Sequence, residues 1–153
     1  MKRFMLLAIV LGVMCGLASA TNPPTVVVAN VSVIGATDAI PVTVLHTPVG
    51  ANTFRVSMYI ELSNYVQGVT LASQVPCGFI SWTGDFGSYT VPPANNGICI
   101  QGPNAFVGYV QTIHAAAGQP ITFDTVIGSG NTQGTPPISP YNVYVTVERM
   151  PQQ

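Results

Sequence analysis

Between Thr53 and Leu62 the chain alternates without a break. Phe54, Val56, Met58, Ile60 and Leu62 fall on one side, and Arg55, Ser57, Tyr59 and Glu61 on the other. Side chains repeat every second residue only in extended backbone, so this run predicts a half-buried β-strand. The stretch Tyr141–Glu148 follows the same rule, with Tyr141, Val143, Val145 and Val147 set against Asn142, Tyr144, Thr146 and Glu148. A helix would need an apolar stripe at three-to-four spacing. None survives for three turns here, and Pro and Gly interrupt the chain throughout. Further strands are predicted at Thr25–Ile34, Ile40–His46, Cys77–Thr83, Ser88–Val91, Gly97–Gln101, Ala105–His114 and Ile121–Ile127. Turn signals separate them: Pro92-Pro93, Asn95-Asn96-Gly97, Gln101-Gly102-Pro103, Ala117-Gly118-Gln119-Pro120 and the Gly/Thr/Pro-rich stretch Gly128–Pro140. The pattern predicts an all-β fold, an antiparallel β-sandwich of about 8–10 strands wound as a jelly roll.

The first twenty residues follow a different logic. Met1-Lys2-Arg3 is basic, Phe4 to Leu17 is apolar, and Ala18-Ser19-Ala20 has the small-x-small form of a cleavage site. These are the three parts of a bacterial-style secretory signal peptide, expected to be cut after Ala20. The apolar stretch is short for a membrane span, which takes about 20 residues, and no later stretch is long enough. Cys15 lies within the apolar run and would leave with it. A lipoprotein anchored through Cys15 is the alternative, but that processing favours a small residue where Met14 stands. The remaining residues 21–153 suit a single domain, secreted or held at the cell surface.

With the signal removed, Cys77 and Cys99 remain, and two cysteines in an exported chain read as one disulfide. Closing a loop of that size is worth about 3 kcal/mol in the chain-entropy model. Unpaired buried thiols are the alternative. Metal ligation is disfavoured because neither cysteine has a C-x-x-C partner. The charge count is low: after cleavage the cations are Arg55 and Arg149, set against Asp38, Glu61, Asp85, Asp124 and Glu148. Without a basic patch the chain has no footprint for nucleic acid or an anionic membrane. A surface this neutral is prone to association. Either neighbours cover it in an oligomer, or its exterior is built from uncharged polar residues.

Motifs of catalysis are sparse. Asp85-Phe86-Gly87 spells a kinase magnesium motif, but no phosphate loop, catalytic loop or strand lysine accompanies it. His46 and His114, each near a strand end, are candidate bases of a small secreted hydrolase, though no Gly-x-Ser-x-Gly elbow is present. The five acids are dispersed, and no pair stands out for glycoside hydrolysis. A structural ion pair between Arg55 and a carboxylate is the plain reading of those charges. No cofactor or metal site is indicated. Phe79, Trp82, Phe86 and Tyr89 gather in one segment, where exposed rings would form a glycan-binding face; Trp82, Phe86 and Tyr89 are its candidate ligand residues. A core position near the disulfide is the competing reading of Trp82. Asn30-Val31-Ser32 matches a glycosylation sequon, of little use in a bacterial-style precursor.

Three stretches carry a family resemblance. They are Pro48-Val49-Gly50-Ala51-Asn52-Thr53-Phe54-Arg55-Val56-Ser57-Met58-Tyr59, His114-Ala115-Ala116-Ala117-Gly118-Gln119-Pro120-Ile121-Thr122-Phe123, and Tyr141–Glu148. Their order over residues 40–149 resembles the tumour-necrosis-factor-like jelly roll, shared with the globular heads of complement. There a Gly-rich turn enters an aromatic-alternating strand, an alanine/glycine turn precedes a polar-then-apolar strand, and a last strand closes the core. The resemblance is one of pattern and carries over no binding site residue by residue. It implies a compact homotrimer with aromatic strands along its axis, used for binding or structure. Arg55, Tyr59 and Tyr144 are then the interface candidates. The resulting expectation is a secreted, non-catalytic, self-associating sandwich with a structural or adhesive role. The alternative is a monomeric carbohydrate-binding module with its aromatic face around Trp82, and the hydrolase is a third reading.

Overall fold

A computed structural model describes residues 24–63, 76–92, 98–100, 106–127 and 139–151. The expected signal peptide with Cys15, the Asn95-Asn96-Gly97 turn and most of Gly128–Pro140 lie outside these residues. Among these residues nine strands are present: β1 (Val26–Ala36), β2 (Thr43–His46), β3 (Asn52–Leu62), β4 (Pro76–Gly84), β5 (Gly87–Val91), β6 (Ile98–Cys99), β7 (Phe106–Ala115), β8 (Ile121–Ile127) and β9 (Tyr141–Arg149). No helix among the described residues is long and apolar enough to cross a membrane.

The strands form two antiparallel sheets. The first has the order β1-β9-β3-β7 and the second β2-β8-β4-β5, with β6 pairing to β4 beside β5. Set β6 aside and the remaining eight strands pair first with last, second with seventh, third with sixth and fourth with fifth. That nested order is a long hairpin wound into two layers, the jelly roll. The sandwich and its antiparallel sheets are as the alternation predicts.

Between the sheets lies one core. The first sheet contributes Phe54, Val56, Met58 and Ile60 from β3 and Tyr141, Val143, Val145 and Val147 from β9, none more than 2% exposed. The second contributes Ile80, Ile121 and Phe123, with Ile98 and Ile100 packed against them. Gly78 on β4 faces this core. A Cβ there would lie 2.7 Å from Ile60 Cδ1 and Met58 Cε, so the missing side chain lets the layers close.

Two strands are shorter than the sequence reading. β2 starts at Thr43 rather than Ile40, because Pro41 has no N–H to give to a ladder. Ile40 is held otherwise: its N–H donates to Thr125 Oγ1 at 2.7 Å, and its carbonyl accepts from the Thr125 N–H at 3.0 Å. The Gly97–Gln101 stretch supplies only the short β6, whose Cys99 pairs with Cys77.

Tyr141 is fully buried at the edge of the core, yet its hydroxyl is satisfied. It donates to the Asp38 carbonyl at 2.6 Å and lies 2.8 Å from Thr125 Oγ1, which therefore acts as donor to it. The three groups tie β9, β8 and the β1–β2 connection together. Tyr141→Phe should keep the packing and lose both bonds, lowering stability by about 1–2 kcal/mol in urea unfolding with an unchanged slope.

The disulfide Cys77–Cys99 closes a loop of sequence separation 22 and is the covalent link between β4 and β6. Replacing both cysteines by alanine should cost about 3 kcal/mol. Amide exchange should accelerate first at Ile98 and Cys99, since β6 has so few ladder bonds of its own.

Candidate functional site

Because β3 and β9 bury one face each, their other residues must emerge together on the outside of the first sheet. The register sets Arg55 across from Glu148, Tyr59 across from Tyr144 and Glu61 across from Asn142. On the other side of β3, strand β7 places Phe106 beside Glu61, Gly108 beside Tyr59 and Val110 beside Ser57. Cross-strand neighbours on one face are close enough for their side chains to interact.

An aromatic row crosses this face. The Tyr59 and Phe106 rings stack with centroids 5.6 Å apart and 28° between planes, and Tyr59 meets Tyr144 at 6.0 Å and 46°. Gly108 leaves the space that the Tyr59 ring uses: ring atom Cδ2 lies 3.7 Å from where a Cβ would stand. An aromatic ring over a strand glycine shields the backbone there. Phe106 is 69% exposed and Val110 63%, so the row continues into an open apolar edge.

Polar groups frame the row. The Glu61 carboxylate accepts from Asn142 Nδ2 at 3.0 Å and from the Tyr144 hydroxyl at 3.2 Å. These donors, Asn142 first, hold its pKa below the ordinary carboxylate value against the opposing effect of burial. Partial burial raises the phenols of Tyr59 and Tyr144, and the neighbouring Glu61 adds to both. Farther along, Arg55 Nε donates to Glu148 Oε2 at 2.6 Å, lowering the Glu148 pKa. This is the ion pair that the charge pattern suggests, half open to solvent and so of modest energetic weight.

The sequence candidates Arg55, Tyr59 and Tyr144 therefore lie on one surface. Phe106 and Gly108 belong to it as well, and sequence reading does not single them out. Strand β7 carries apolar residues on both faces, Val107, Tyr109 and Ile113 on one and Phe106 and Val110 on the other, so its alternation does not say which side is covered.

The second group of candidates is at the β4–β5 hairpin. Trp82 pairs across the strands with Tyr89, and their rings stack at 5.3 Å and 21°. Trp82 also packs, partly buried, on the edge of the core. Phe86 is at the hairpin tip, 94% exposed. Phe79 is not among them: three residues from Trp82, it lies on the opposite face of β4, buried across from Asp124. His114 and Asp85 join this group. His114 Nε2 is 3.4 Å from Asp85 Oδ2, and its Nδ1 is 3.4 Å from Thr53 Oγ1. The connectivity is that of a hydroxyl–imidazole–carboxylate relay, but both links are long and open to water, which competes for each. His46 lines a separate small cavity with Phe54 and Arg149, so the two histidines do not form one site. Among the described residues no cluster of three or more His, Cys, Asp or Glu is arranged to hold a metal ion.

No known protein family matches the chain, and no curated protein resembles it at a significant level. The geometry defines a jelly-roll domain with one aromatic sheet face and one aromatic hairpin.

The lowered carboxyls make stability depend on acid. A group whose folded pKa is depressed contributes stability that is complete above its unfolded value, 4.5 for Glu, and lost as pH falls through the folded value. Stability should therefore decline from about pH 5 downward. Glu61→Gln and Glu148→Gln should each flatten that decline in urea midpoints measured across the range. Asp124, raised by burial, works in the opposite sense.

Proposed function

We propose that this chain is an exported, non-catalytic jelly-roll domain that assembles with copies of itself through the outer face of its first sheet. Its role is structural or adhesive, outside the cell. The observation that carries the reading is the aromatic row Phe106–Tyr59–Tyr144, which crosses the outer sheet face from β9 to the edge strand β7, where Phe106 and Val110 are exposed. A monomer rarely leaves such a contiguous apolar surface to water. Tyrosines suit a protein interface because they bury a large ring while keeping a hydrogen bond. Arg55 and Glu148 pair within the face, and the Glu61 carboxylate accepts from Asn142 and Tyr144, so its polar groups already have hydrogen-bond partners.

A second copy is the partner that the composition favours. With so few charges the chain has little to repel a like surface. The choice of three copies rests on the resemblance of the sequence to tumour-necrosis-factor-like jelly rolls. Export rests on the opening basic–apolar–small pattern, and the Cys77–Cys99 disulfide fits an oxidising compartment.

Light scattering behind a sizing column should give a trimer mass for the oxidised, processed chain at two concentrations. Tyr59→Asp combined with Phe106→Ser should give a monomer with an unchanged far-ultraviolet dichroism spectrum. A wild-type monomer at both concentrations would overturn the proposal.

A further inference from the structure

The β4–β5 hairpin and the end of β7 enclose an open cleft of about 400 Å³, apart from the Tyr59–Tyr144 row. Trp82 and Tyr89 line it as a stacked pair, Asp85, His114 and Thr112 give it polar groups, and Phe86 stands at its lip. We propose that this cleft binds a neutral saccharide.

The cleft is built by local features that hold it open. Asp85 and Phe86 form a two-residue turn between the paired Gly84 and Gly87, and Gly87 has φ of 135°, a backbone state that other residues rarely adopt. Gly84 lets three groups converge: a Cβ there would lie 3.0 Å from the His114 carbonyl and 3.2 Å from Tyr89 Cε2. The Ala116 N–H donates to the Thr83 carbonyl at 2.8 Å and fixes the end of β7 against β4. Trp82 is seated on the core, so the stacked pair is anchored from beneath. A site prepared in this way loses little entropy when it binds.

The chemistry of the lining selects the ligand. A sugar ring has an apolar C–H surface and a rim of hydroxyls that both donate and accept. Aromatic rings with a polar end suit the first, and a few placed polar groups in an apolar cleft suit the second. The Asp85 carboxylate accepts, the Thr112 hydroxyl does both, and His114 is oriented between Asp85 and Thr53. Among the described residues no lysine or arginine lines the cleft, and Asp85 repels anions, which disfavours phosphorylated or sulfated ligands. Phe86, at 94% exposure on a hairpin tip, is placed to close over a bound ring.

Trp82 is the single tryptophan of the chain, so its fluorescence reports on this cleft and nowhere else. The oxidised, processed protein would be titrated with soluble neutral oligosaccharides of glucose, xylose, mannose, galactose and N-acetylglucosamine. A saturable change in emission is expected with at least one of them. Tyr89→Ala and Asp85→Asn should each weaken that binding by about tenfold or more. Phe86→Ala, at an exposed turn that the fold does not need, should weaken it with unfolding unchanged. Tyr59→Asp, on the other surface, should leave it intact, which separates this test from that of self-association. Silence of Trp82 across the whole panel would overturn the proposal. So would a response that survives in Tyr89→Ala and Asp85→Asn, or binding to unmodified peptides alone.

Discussion

Strand β9 lies between β1 and β3, paired along almost its whole length on both sides, and the pairing with β3 sets most of what surrounds it. Eight side chains from these two strands fill the middle of one core layer, from Phe54 and Tyr141 to Val147. A slip of one residue in either strand would turn its apolar set toward water, so the register is fixed by burial rather than by any turn between the strands. With β3 and β9 in place, β1 and β7 have only the outer edges of the sheet to occupy.

The same register fixes what the outside of the sheet displays. Where Val56, Met58 and Ile60 point inward, Arg55, Tyr59 and Glu61 must point outward, and β9 answers each with Glu148, Tyr144 and Asn142. The Arg55 guanidinium is paired with Glu148, and the Glu61 carboxylate keeps its charge but accepts hydrogen bonds from Asn142 and Tyr144. The aromatic rings are left as the exposed apolar part. A surface that satisfies its own charges and presents rings is chemically prepared for contact with an uncharged partner.

At the hairpin the determining features are local instead. Gly87, at φ 135°, and Gly84, where a Cβ would crowd the His114 carbonyl, flank the turn that brings Asp85 and Phe86 to the tip, beside the end of β7. Trp82 and Tyr89 face each other because the Gly84–Gly87 pair closes the turn and sets the register two residues farther along each strand. The two surfaces thus arise from different causes, one from long-range pairing and the other from a short hairpin.

Local pattern alone predicts the strands, because whether a residue faces core or solvent follows the two-residue repeat of its own segment. The apolar faces of β3 and β9, the Cys77–Cys99 bond and the grouping of Trp82, Phe86 and Tyr89 all follow from spacing along the chain. Ile40 and Pro41 show the limit: the apolar run reads as strand, but a proline without an N–H and a hydrogen bond from Thr125, 85 residues away, decide otherwise. Which strand lies beside which depends on contacts between distant segments, and alternation carries no record of them. Tertiary structure therefore decided that Phe106 would stack on Tyr59 over Gly108. It also decided that His114 would meet Asp85 rather than His46. Each of those depends on the partner across the ladder or between the layers, and packing of the whole core chooses that partner.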